Sequence, residues 1–142
     1  MAVKIFLDAN IILDAYLHRE NFQPAYKIME EISAGNIEGR ITSSVLHICS
    51  YWLKKEYGLA ETKRLLIQLL MHIRVIDIIH DTALFALQSE IKDIEDALQY
   101  YTAMQHKLDY FISADKNFSK ISSKALPIVT PKEFLKKFQF ND

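Results

Sequence analysis

The chain has 142 residues, half of them hydrophobic, and its 17 Lys and Arg against 18 Asp and Glu give a formal net charge of -1. That is room for one globular domain with a sizeable core over residues 1–142, and three Gly and three Pro give no compositional case for a linker or disorder. Balanced charge excludes nucleic-acid binding by bulk attraction alone, and a single cysteine, Cys49, excludes an intrachain disulfide and a cysteine-cluster metal site.

The first element is an apolar run over residues 3–7 that reads as a buried strand and stops at Asp8. A short helix over 11–17 and a loop over 18–23 follow. Pro24 suits the first turn of a second helix, whose apolar positions Ala25, Ile28, Met29 and Ile32 keep helical spacing up to Gly35. Residues 39–43 form a second strand ending in hydroxyl residues that can cap a helix over 45–57. Gly58 closes that helix, and 60–71 is another. Cys49 has apolar neighbours and reads as a buried thiol.

Residues 73–77 are a third strand, followed by a helix over 81–89. The run Asp93-Ile94-Glu95-Asp96 then opens a helix that places Asp93, Asp96 and Tyr100 along one strip. The fourth strand is 109–113, with Asp115 just past its end. A short fifth strand covers 126–129, and Thr130-Pro131 starts a last helix as cap and first-turn proline. Strands alternating with helices imply an α/β domain in three layers, α/β/α, with a central parallel sheet of about five strands.

In such a sheet, strand ends and helix starts share one edge, and ligands bind there. Asp8 and Asp115 follow strands, while Asp93 and Asp96 open a helix, so distant carboxylates can converge. Gathered acids repel one another unless a cation lies between them, and a hard divalent ion with oxygen ligands answers that need. Each acid also has a plainer reading. Asp8 and Asp93 suit helix caps, Glu95 suits the positive end of a helix dipole, and Asp115 suits a turn.

Four blocks, Phe6-Leu7-Asp8-Ala9-Asn10, Asp93-Ile94-Glu95-Asp96-Ala97-Leu98-Gln99, Phe111-Ile112-Ser113-Ala114-Asp115-Lys116-Asn117-Phe118 and Val129-Thr130-Pro131-Lys132-Glu133-Phe134-Leu135, resemble the successive blocks of a PIN domain. More narrowly, the chain resembles the single-domain bacterial form found as the VapC-type toxin of toxin-antitoxin pairs. The resemblance implies a ribonuclease dependent on Mg2+ or Mn2+, with Asp8, Asp96 and Asp115 as metal-binding catalytic acids. Asp93 and Glu95 match more variable acidic positions and are further metal candidates, while Asn10 and Ser113 match supporting polar residues. It also implies a homodimer and an antitoxin partner lying across an apolar groove between the early helices.

One departure stands out. The family usually carries a further acid, mostly glutamate, early in the helix after the second strand, whereas residues 43–50 here contain no carboxylate. Ser43 is kept as a supporting residue and His47 stands nearby, but neither supplies a negative oxygen. The competing expectation is therefore a catalytically weakened module that binds RNA or a protein.

For RNA, Lys116, Lys120 and Lys124 lie close in sequence to Asp115 and could hold a phosphate backbone. Tyr51, Trp52, Tyr100 and Tyr101 could stack on unpaired bases, although core packing is the expectation for most of them. No apolar tract approaches the about 20 residues of a membrane span, and no secretory leader is evident, so a cytoplasmic location without membrane contact is expected. A phosphoaspartyl phosphatase would want an acid where Asn10 stands, and there is no Gly-rich phosphate loop for an NTPase.

Overall fold

The computed structural model describes residues 2–138. Five parallel strands, β1 (Val3–Leu7), β2 (Ile37–Thr42), β3 (Ile73–Ile76), β4 (Tyr110–Ile112) and β5 (Ile128–Val129), form one sheet in the order β3-β2-β1-β4-β5. The helices are α1 (Ala9–Tyr16), α2 (Phe22–Ser33), α3 (Ser43–Leu70), α4 (His80–Gln88), α5 (Ile94–Gln105), α6 (Lys116–Ser119) and α7 (Pro131–Lys137). The chain thus steps outward from β1 to β3, then crosses back to the other side of β1 for β4 and β5. Right-handed crossovers in opposite directions place their helices on opposite faces of the sheet. On one face α1, α2 and α3 pack together and α2 meets α7; α4 and α5 pair on the other. This is the three-layer α/β/α arrangement expected.

Ile5, Phe6 and Leu7 are all fully buried, as a central strand covered on both faces requires. Phe6 stacks on Phe111 of the neighbouring strand with ring centroids 4.7 Å apart, and Phe118 and Tyr100 close over Phe111 at 5.1 and 5.8 Å. Tyr100 is buried, and its hydroxyl donates to the Leu126 carbonyl at 2.7 Å, so it belongs to the core. Tyr101 is half-buried against Phe85. Tyr51 and Trp52 depart from the core expectation, being 53% and 42% exposed on α3. Helical periodicity shows which residues share a face but not whether another element covers it.

Element ends follow their chemistry. Thr42 caps α3, and Thr130 with Glu133 forms a reciprocal capping box on α7, with Pro131 at its first position. α2 begins two residues before Pro24, which still lies in the first turn where a missing N–H costs nothing. α6 was not expected. It is a single turn that forms because the Asp115 carboxylate accepts the backbone N–H groups of Asn117 and Phe118 at 2.9 and 3.4 Å.

The two helices expected around Gly58 run on from one another through a kink at that residue, with φ +81° and ψ 172°. Nothing lies within 4 Å of where a Cβ would sit, so the constraint is the backbone angle and not space. Gly58→Ala is expected to cost about 1 kcal/mol or somewhat more, read as a lower urea midpoint with an unchanged slope.

Candidate functional site

The strand order makes the gap between β1 and β4 the point where the chain's direction of travel reverses, and the carboxyl ends of these two strands bound a crevice there. Asp8 follows β1 and Ser113 follows β4. Both are fixed by ladder hydrogen bonds, the Asp8 N–H donating to the Ile112 carbonyl at 3.1 Å and the Ser113 N–H to the Val129 carbonyl at 3.0 Å. The buried Ser113 hydroxyl donates to Asp8 Oδ2 at 3.2 Å and accepts the Asp115 N–H at 3.1 Å. One hydroxyl therefore ties together the acids that follow two neighbouring strands.

Asp8 occupies the N-cap position of α1, yet its side chain makes no N-cap bond and turns to the backbone of Ala9 and to Ser113. Its carboxyl is instead pushed up to about 6, first by burial and then by the charges of Glu95 and Asp115, against the lowering effect of the Ser113 and Ala9 hydrogen bonds. Asp96, half-buried in the first turn of α5, is pushed up to about 7 by burial and then by Asp93, Asp8, Asp115 and Glu95. Burial and the charge of Asp93 raise Glu95 as well, while the Gln99 side chain donates to Glu95 Oε1 at 2.9 Å and opposes the rise.

The plainer readings hold for Asp93 and Glu95 alongside this electrostatic coupling, and Asp115 is a helix cap where a turn was the plain expectation. Asp93 is the cap of α5, accepting the Asp96 N–H at 2.9 Å, and Asp115 caps α6. Among the described residues, no three Asp, Glu, His or Cys side chains close into a finished metal-binding group. The arrangement is an open acidic rim whose charges push up the carboxyls of Asp8, Glu95 and Asp96.

The donor chemistry nevertheless fits a hard divalent cation. Every candidate ligand is a carboxylate oxygen, and among the described residues no Lys or Arg forms an ion pair with Asp8, Asp96 or Asp115. Gln99, which sequence reasoning missed, adds a buried side-chain oxygen with no hydrogen-bond donor among the described residues. Its spacing of three and four residues from Asp96 and Glu95 was the available signal.

The remaining candidates sit further out. Asn10 is exposed and accepts a long hydrogen bond from Arg19 at 3.5 Å. Ser43 is exposed as the first residue of α3, and it is Ser44 whose hydroxyl meets Thr42, at 2.9 Å. Lys116 and Lys120 are exposed on and just after α6, whereas Lys124 lines a cleft with Val3, Leu108 and Asp109 at the opposite edge of the sheet. Cys49 is fully buried with its thiol pushed up to about 12, chiefly by burial, so it is no nucleophile.

A family model described as the PIN domain matches residues 4–117. No curated protein matches the chain. Among solved structures, a toxin-antitoxin complex from Klebsiella pneumoniae is similar at 22% identity and a TM-score of 0.67, covering 89% of this chain and 97% of that one. VapBC2 from Rickettsia felis, bound to a DNA fragment from its promoter, is 19% identical with a TM-score of 0.65, covering 90% and 98%. VapC20 from Mycobacterium tuberculosis, a toxin that cleaves the sarcin-ricin loop, is 16% identical with a TM-score of 0.64, covering 82% and 93%. At these identities the likeness is one of fold.

Proposed function

This chain belongs to the PIN domain family, and from that premise we propose that it is a metal-dependent endoribonuclease, the toxin of a type II toxin-antitoxin pair. The observation that carries the reading is the electrostatic coupling of Asp8, Asp96 and Asp115 around the reversal point of the sheet, with no Lys or Arg paired to them among the described residues. These three would hold Mg2+ or Mn2+, with Asp93 and Glu95 at the rim. A bound ion of this kind supplies a polarised phosphate and a water of lowered pKa.

The chain's own part is positional. The ladder bonds at Asp8 and Ser113 fix where the first acid stands, the Ser113 hydroxyl keeps Asp8 Oδ2 oriented, and Asp93 and Asp115 set the starts of α5 and α6. Purified protein should cleave single-stranded RNA in Mg2+ or Mn2+ and leave it intact in EDTA. RNA that survives every ion, or is cut equally in EDTA, would overturn the proposal. Ser113→Ala should weaken Mn2+ binding by about 10–100-fold, the usual cost of losing a partner that orients a ligand, as read by calorimetric titration.

A second reading rests on the absence of any carboxylate in residues 43–50, the first turns of α3. The protein would then bind RNA without cutting it, which retention of intact RNA in the presence of Mn2+ would reveal.

An antitoxin is proposed as partner. A cavity of about 720 Å³ between α1, α2 and the far end of α3, lined by Tyr16, Tyr26, Met29, Leu69 and Met71 among others, offers the apolar groove for it. A homodimer is proposed through α4, where Leu84, Phe85 and Leu87 are exposed together. The proposed setting is the cytoplasm. Among the described residues no helix is long and apolar enough to cross a membrane.

A further inference from the structure

Two exposed aromatics on α3 stand beside two cations. The Lys55 ammonium lies 5.6 Å from the Tyr51 ring centroid and 5.3 Å from that of Trp52, and the Arg19 guanidinium lies 5.9 Å from Trp52. Tyr51 and Trp52 meet edge to face at 5.2 Å. Arg19 also reaches Asn10, two residues past Asp8, and the Cys49 thiol, three residues before Trp52 on α3, lies against the carbonyl of Ala9. The group is therefore tied to the segment that directly follows Asp8, and Trp52 lies about 12 Å along the helix axis from Ser44 in its first turn.

From this placement we infer that Tyr51 and Trp52 are a stacking platform for unpaired bases of the RNA strand, with Arg19 and Lys55 holding the phosphates between that platform and the cleavage site. The inference rests on the ribonuclease reading and names its substrate as single-stranded. Lys55 makes no ion pair among the described residues, so it is free to take an anion. An apolar protein segment laid on the rings would bury both cations without counter-charges, which is costly, whereas a nucleic acid brings a phosphate for each cation and a π-face for each ring. A base stacked on an aromatic ring also gains more than an exposed cation–π contact, so a base displaces the ammonium from the ring and leaves it beside the backbone. A duplex keeps its bases stacked inside and cannot do this.

Trp52 is the only tryptophan in the chain, so its fluorescence reports the event directly. Titrating the full-length protein in EDTA with a mixed-sequence single-stranded oligoribonucleotide is expected to quench that emission to saturation, while the same sequence as a duplex leaves it nearly unchanged. By anisotropy of a labelled strand, Trp52→Ala should bind about ten-fold more weakly, one stacked base's share, and Trp52→Phe should bind close to the parent. In cleavage assays Trp52→Ala should raise KM with little change in kcat. Quenching without cleavage in any metal supports the platform while sinking the nuclease reading. Cleavage with no quenching and an unchanged Trp52→Ala variant overturns the platform and leaves the nuclease reading intact. A Trp52→Ala variant that binds RNA normally but no longer binds the antitoxin also overturns it, marking the patch as a protein-docking face.

Discussion

Asp8→Asn is expected to abolish metal-stimulated RNA cleavage while making the metal-free protein more stable at neutral pH. The loss of activity should exceed the ~100-fold that removal of an outer partner costs, because Asp8 is proposed as a ligand itself. The stability gain follows from linkage. The folded-state pKa of Asp8 is raised from 3.8 to about 6, so the protonated carboxyl is the form the fold prefers. The corresponding stability is fully present below pH 3.8 and is lost as pH rises from there through about 6.

Asparagine stays neutral and can still accept the Ser113 hydroxyl, so parent and variant should melt alike below pH 3.8, diverge as pH rises from there to about 6, and differ by a constant amount above it. Added Mn2+ should stabilise the parent and not the variant, since only a ligand bound by the folded state shifts the melt. Thermal melts across pH, with and without Mn2+, check all three statements. Equal stabilisation of both proteins by Mn2+ would remove Asp8 from the ligand set. Asp96→Asn should behave in the same sense, with its divergence from the parent continuing up to about pH 7.

Phe111→Ala is expected to cost about 3–5 kcal/mol, a large share of the ~5–15 kcal/mol that holds a domain of this kind together. Phe111 is fully buried and shares ring contacts with Phe6, Phe118 and Tyr100, so truncation leaves a void lined on several sides. It also lies two residues before Ser113, on the strand whose ladder bonds hold that hydroxyl against Asp8. Urea denaturation gives the stability loss, and a lowered Mn2+ affinity under folding conditions would show that core packing transmits to the rim. Phe111→Leu, which keeps most of the volume, should recover much of both.

The architecture was readable because its signals are local. Buried runs such as Ile5-Phe6-Leu7, the Thr130-Pro131 start of α7 and the acids at element ends each follow from a few neighbouring residues. What escaped depended on contacts across the fold. α6 is one turn held by the Asp115 side chain, too short to carry a hydrophobic period. The strand order and the exposure of Tyr51 and Trp52 depend on which elements pack together, and no spacing in the sequence encodes that. The position of Lys124 at the far edge of the sheet is of the same kind, since eight residues separate it from Lys116 but a strand connection carries it away. For the acids, sequence supplied both readings, and the structure divides them: Asp93 and Asp115 cap helices, while their charges help push up the carboxyls of Asp96 and Asp8.

The bond from Ser113 to Asp8 joins residues 105 apart in the chain, which bears on how the protein is made. During synthesis the amino-terminal half emerges first, carrying Asp8 with nothing opposite it. The rim can form only once β4 has docked beside β1. A chain released just before β4 would carry Asp8 and Asp96 but neither Ser113 nor Asp115, and so no assembled rim.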